Sequence, residues 1–306
     1  RPVEGDLMPN DLLTKGWDDH ASESTRLAGE LEAAADAPVD ADDLVQFARL
    51  AVHTIGEHLE DWPRARRLAE RLLEGRAPDA ATAKAWAHLS IARLLAGDPA
   101  GAAEAELAWL GAAPDFRAAL IEARFMLVAA LVGCGRAGEA VPLFRAALEL
   151  ARGLGEAAPA RVIAVASNNL GYDLVEEPAR TPDEDAVMRL AADAALEFWR
   201  QCGTWRNEAS ALALTARVAI LRGEPDRALA DVDAALAVIA VGGEAPAAAA
   251  ILRVVRSVAL GLKGDAAAQA RELAEADRAA AALEDADARA FYDEQRAWIV
   301  GTSVEA

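Results

Sequence analysis

The side chains best suited to chemistry lie in one short run, His53-Thr54-Ile55-Gly56-Glu57-His58. Imidazole nitrogens and carboxylate oxygens both ligate zinc-type cations, and His53 and Glu57, four apart, share one face of a helix. The spacing matches neither His-Glu-x-x-His nor its inverse. On a regular α-helix His58 falls about 140° around from His53. His20 and His88 sit in other segments, so no third ligand is evident. The run therefore reads as ordinary helix-end histidines, with no metal and no cofactor expected. Other signatures are missing. The glycines stand singly at turns rather than in a phosphate loop, there is no Gly-x-Ser-x-Gly elbow, and neither Cys134 nor Cys202 has a histidine close in sequence. Asp183-Glu184-Asp185 lacks the regular oxygen spacing of a calcium loop and suits a solvated helix start. The expectation is a protein that is not an enzyme.

Composition narrows the class. Apolar residues make up 54% of the 306, much of it alanine, and aromatics only 5%. Alanine favours helices and is sparse in strands, which points to an all-α protein. The formal charge of −19 repels phosphate backbones and anionic bilayers, so neither nucleic acid nor membrane is an expected partner. A basic or partly apolar protein or peptide remains electrostatically suitable. Two cysteines make no disulfide framework, and no apolar run approaches the about 20 residues of a membrane span, so a cytoplasmic setting is expected. The opening RPVEGDLMPNDLL has no apolar core segment and no initial methionine. It suggests no secretory leader and a domain excised from something longer.

The elements that must position any site are helical hairpins. In RFMLVAALVGCGRAGEAVPLFRAALEL, residues 124–150, Phe125, Leu127, Val128, Leu131 and Val132 recur at helical spacing before Gly135, and Ala140, Phe144, Ala147 and Leu148 after it. One such hairpin cannot bury its apolar faces alone and needs neighbours of the same kind. Turns are expected at 16, 60, 97, 135, 178, 223 and 264, spaced by 44, 37, 38, 43, 45 and 41 residues. A recurrence near 40 is the signature of an α-solenoid. The helix before the second turn is expected over 42–59. A flexible residue ends one helix, Asp or Pro starts the next, and in most turns alanine five residues on lets the pair approach closely. The units are read as 6–37, 42–77, 80–113, 115–155, 158–203, 205–243 and 245–284, in a single domain 1–306 with a capping helix over 286–299.

Trp86, Leu89, Ser90, Gly97, Ala102 and Pro114 fall on the pattern of the tetratricopeptide repeat, and the unit around Gly135 matches through Ala140, Phe144 and Ala147. Leu170 and Gly171 extend the match to the fifth unit. The chain thus resembles the tetratricopeptide-repeat superfamily, in the longer form found in bacterial signalling and transcriptional regulators and kinesin light chains. Departures are Glu106, where a large apolar residue is usual, and Gln269, where the small alanine is usual. The resemblance implies a right-handed superhelix of about seven antiparallel helix pairs, with a concave groove as binding surface.

In the resembling family the first helix of each hairpin lines that groove, at positions ten and six residues before the turn. Carried over, those positions bring Ile91, Phe125, Asn168, Tyr172, Arg217 and Val258 into the groove, with Asn169 beside them. Asparagine donates and accepts together, which suits a peptide backbone, and arginine grips a carboxylate through two bonds. Phe125, Ile91 and Val258 would supply apolar contact. The bland alternative has Asn168 and Asn169 bridging hairpins, Arg217 paired with Glu176, and Tyr172 merely packing. Trp199 and Trp205 read as packing residues, and Phe291, Tyr292, Trp298 and Ile299 as the inner stripe of the cap. The preferred function is a non-catalytic protein- or peptide-binding scaffold or sensor, free-standing or within a larger bacterial regulator. The alternative is a small-ligand or peptide-pheromone receptor domain, and further off lies an enzyme or phosphatase-like regulator.

Overall fold

Alanine-rich stretches punctuated by Gly-Asp and Asp-Pro leave the backbone little choice but to run helix, turn, helix. The computed structural model describes residues 9–37 and 39–302. Among these the regular elements are fifteen α-helices, a π-helical turn and a short 3₁₀ turn, with no strand. The fold is all-α, with most consecutive helices paired as antiparallel hairpins.

The turns show why. Gly97, Gly135, Gly223 and Gly264 take left-handed φ values of 84°, 71°, 68° and 81°. The N–H of the residue after each reaches back five residues: Asp98 to Arg93 O at 2.9 Å, Arg136 to Leu131 O at 2.8 Å, Glu224 to Ala219 O at 2.8 Å and Asp265 to Leu260 O at 3.0 Å. This closed cap satisfies carbonyls that the helix end would leave bare, and it needs a residue without a Cβ penalty at its bend. Asp98 and Asp265 then start the next helices by accepting the N–H bonds of Gly101 and Ala268, each at 2.9 Å. The second turn lacks glycine, and Glu60 itself adopts φ 53°.

The chain divides into two compact units, Arg1–Arg136 and Ala137–Ala306. The division falls just after the Gly135 bend, inside the stretch that reads most clearly as a hairpin in the sequence. The first unit holds α1 (Pro9–Asp19), α2 (Ser24–Ala34), α3 (Ala41–Ala51), the π-helical turn Val52–His58, α4 (Trp62–Leu73), α5 (Ala83–Leu95), α6 (Pro99–Ala112) and α7 (Phe116–Gly133). Its core gathers Leu31, Leu44, Phe47, Leu50 and Ile55, all fully buried or nearly so. Glu106, the departure from the family pattern on α6, forms a two-bond ion pair with Arg124 of α7 at 2.8 and 2.9 Å.

Two expectations are corrected in this unit. Gly16 is not a turn: it lies inside α1, and a Cβ there would stand 2.5 Å from Leu50 Cδ2. Glycine is present for close approach, and the turn comes after Asp19. The helix expected over 42–59 is not uniform either, because its last turn widens into the π-helical segment.

The second unit holds α8 (Ala137–Leu154), α9 (Ala160–Glu176), α10 (Pro182–Cys202), α11 (Trp205–Leu221), α12 (Pro225–Gly242), α13 (Pro246–Leu262), α14 (Ala266–Ala281) and α15 (Ala286–Thr302). The pairs α9–α10, α11–α12 and α13–α14 are hairpins, while α11 lies against both α9 and α13, and α15 packs on α13. The first helices of successive hairpins thus stand side by side, with α15 closing the row. Val232, Ala235, Val254, Val255 and Tyr292 form the core beneath them.

Candidate functional site

Each helix of that row contributes one stripe to a common cleft. On α11 the stripe is Arg206, Ala209, Ser210, Ala213 and Arg217, at offsets of three, four, seven and eleven from the first and so aligned on one face. Its middle is small side chains, which leave open volume where larger ones would fill it. Tyr172 and Glu176 on α9 face it from one side, Ile251, Leu252 and Val255 on α13 from the other, and Ala288, Phe291 and Gln295 on α15 close it. The cleft encloses about 1090 Å³. Trp205 stands at its edge, held close by Gly242, where a Cβ would come within 2.3 Å of the indole.

Arg217 is the unusual member. Its side chain is only 4% exposed, yet it carries a full charge. One Nη donates to Gln295 Oε1 at 3.0 Å. The other lies 3.6 Å from Glu176 Oε1, an ion pair too long for a hydrogen bond, with a carboxylate that is itself half exposed. Nε and that second Nη have no hydrogen-bond partner. The guanidinium carbon sits 4.3 Å from the Trp298 ring centroid and 5.4 Å from that of Tyr172. Burial pushes the guanidinium below its ordinary pKa, partly opposed by Tyr172 and Glu176. Burial likewise pushes the Tyr172 phenol up, although its hydroxyl donates to Ser210 O at 3.0 Å. A buried cation with two idle donors, backed by aromatic faces, is arranged to receive an anion. At the rim stand Glu176, Glu244, Glu284 and Asp285, an acidic mouth around a cationic floor.

Sequence reasoning placed Tyr172 and Arg217 together, and here they meet. Asn168 does not line the cleft: it is half-buried, its Oδ1 has no partner, and Asn169 beside it is exposed. Val258 is 3% exposed within the second unit's core and cannot offer apolar contact to a ligand. Phe125, also 3% exposed, is core in the first unit, and Ile91 lines a cavity of about 150 Å³ there with Trp109 and Arg124. Phe125 and Val258 are covered because local packing, not the distance from a turn, decides which face is exposed. Nothing in the sequence marks Gln295, and Trp298 belongs there to the apolar stripe of a cap. The aromatic stripe of α15 was the available signal, but its partner lies 78 residues earlier in the chain.

No protein-family model and no curated protein matches the chain. Among solved structures it is similar to BtubC (BKLC) from P. vanneervenii, at 20% identity over 82% of this chain and 91% of that one, with a TM-score of 0.46. It is also similar to a tetratricopeptide repeat protein from Parabacteroides merdae, at 13% identity over 95% and 98% of the two chains, with a TM-score of 0.33. No helix among the described residues is long and apolar enough to cross a membrane.

Proposed function

We propose that this chain is a non-catalytic binding domain whose second unit holds a peptide segment of a partner protein. The observation that carries this reading is Arg217, a guanidinium 4% exposed beside an apolar cleft, whose buried Nε and one Nη have no hydrogen-bond partner. A carboxylate, from a chain terminus or an acidic side chain, satisfies both donors at once. Apolar side chains of the segment lie over Ala213, Ala248 and Ile251, and a basic group meets Glu244 and Glu284 at the mouth. The partner is therefore amphipathic, partly apolar with a basic residue, in keeping with the chain's negative charge. Such a domain serves as the scaffold or sensor region of a larger regulator.

The volume of about 1090 Å³, just above the about 300–1,000 Å³ of small-molecule sites, also admits a second reading. An apolar carboxylic acid would use the same floor without needing the acidic rim. Both readings are tested by following Trp205 and Trp298 fluorescence during titration with apolar-basic peptides bearing a free or an amidated C-terminus, and with medium-chain carboxylic acids. The peptide reading expects the free acid to bind at least about tenfold more tightly than the amide, a difference abolished in Arg217→Met. Equal affinity for acid and amide in the wild type sinks it.

A further inference from the structure

The histidine run looks different in three dimensions. One ring nitrogen from each of His20, His53 and His58 lies within 4.8 Å of the others. On an α-helix, residues five apart diverge by about 140°. Here the backbone widens into the π-helical turn Val52–His58, in which Leu59 N–H bonds to Thr54 O, five residues back, at 3.2 Å. A π-turn brings residues i and i+5 to the same side, and such turns are frequent at functional sites. His53 Nε2 and His58 Nε2 consequently stand 3.2 Å apart. The turn is braced by Trp62, whose ring lies so close over Gly56 that a Cβ there would be 2.5 Å away. His20, in the turn after α1, comes from 33 residues earlier and brings its ring centroid to 5.0 Å from that of His53 and 5.1 Å from that of His58.

The hydrogen bonds decide which nitrogens are available. His20 Nδ1 is 2.6 Å from Trp17 O, an atom that can only accept, so Nδ1 carries the proton and Nε2 keeps its lone pair. His53 Nδ1 donates to Glu57 Oε2 at 2.5 Å, so His53 Nε2 keeps its lone pair, which accepts from His58 Nε2 at 3.2 Å until a cation takes the place of that proton. An imidazole held through its far nitrogen by a carboxylate or carbonyl is the arrangement that orients metal-bound histidines. Tetrahedral zinc with bonds of about 2.0–2.1 Å sets its nitrogens about 3.3 Å apart, close to the separation between His53 and His58. The three nitrogens lie within 4.8 Å of one another, so a bound cation draws them together by up to about 1.5 Å.

We propose that His20, His53 and His58 form a three-imidazole site for a zinc-type divalent cation, with Glu57 and the Trp17 carbonyl orienting two of the rings. His58 is exposed and the other two are half-buried, so one coordination position remains open to water or a further ligand. The donors are all imidazole, which suits zinc, nickel or copper and not magnesium or calcium.

The test uses the full chain purified without a histidine tag, stripped with chelator and titrated calorimetrically with Zn²⁺. One equivalent is expected to bind, undisturbed by millimolar Mg²⁺. His20→Gln, His53→Gln and His58→Gln are each expected to weaken binding at least about tenfold, and Glu57→Gln by about 10–100-fold. His88→Gln, outside the cluster, should bind as the wild type does. Circular dichroism confirms that each variant is folded, and exposed His58 carries the test should His53→Gln fail to fold. No saturable one-equivalent binding in the wild type overturns the proposal, as does affinity unchanged in His58→Gln.

Discussion

Replacing Arg217 with methionine separates a residue kept for binding from one kept for stability. The folded chain gains a charge-assisted bond to Gln295, worth about 1.5–3 kcal/mol. It also gains a stack on Trp298 worth about 1–2 kcal/mol. The 3.6 Å pair with half-exposed Glu176 adds less than about 1 kcal/mol. Against these stand two unpartnered N–H groups costing about 1–3 kcal/mol each, and the desolvation of the charge itself. Gains and costs nearly cancel, with the balance tipped against arginine. Methionine fills a similar volume, stacks on the same indole and needs no partners. We expect Arg217→Met to leave stability unchanged or raise it by up to about 2 kcal/mol. For a unit of this size that is a Tm shift of roughly 2–4 °C per kcal/mol. Urea denaturation followed by circular dichroism measures it, with a constant m value certifying a like-for-like comparison. A loss of more than about 2 kcal/mol refutes the reasoning, since arginine would then be an internal strut rather than an unsatisfied binding group.

Other perturbations read other parts of the molecule. Burial pushes His88 down to about 3, so it folds neutral while the unfolded chain protonates near its ordinary 6.5. Its contribution is intact above pH 6.5 and erodes as pH falls, by about 2 kcal/mol at pH 5, and His88→Leu should flatten urea-melt stability across that range. Asp277 is held below the usual carboxylate range by Arg296, with help from the Tyr292 hydroxyl. Its contribution is present above about pH 4 and is lost as pH falls through the lowered value; being 44% exposed, Asp277→Asn should cost less than about 1 kcal/mol at pH 7. Gly56→Ala drives a methyl group into Trp62 and should cost about 1–3 kcal/mol in a thermal melt while weakening zinc binding through the displaced π-turn. Phe144→Ala, at a fully buried position on α8, should cost about 3–5 kcal/mol by the same measurement.

Much of the backbone was legible because its instructions are local. Gly97 followed by Asp98, or Gly264 followed by Asp265, closes one helix and opens the next through bonds spanning six residues, so the residues themselves state the outcome. Gly16 looked equally like a turn but is buried against Leu50, a contact that only tertiary packing creates. The π-turn was illegible for a related reason: Trp62 lies close over Gly56 within it, a tertiary contact of which helical periodicity carries no mark.

The candidate site residues divide along the same line. Tyr172 and Arg217 could be picked out because a repeat places corresponding positions of successive first helices side by side. Val258 and Phe125 obeyed the same spacing and still became core, since burial is decided by what packs over a side chain. Alanine content and turn spacing by themselves determined an all-α chain of hairpins. Only the tertiary structure decided that Gln295 and Trp298 would close over Arg217, and that His20 would join His53 and His58. Local sequence fixes which backbone hydrogen bonds form within a turn or two, whereas contacts between residues 33 or 78 apart arise only when stacked helices exclude water from a shared face.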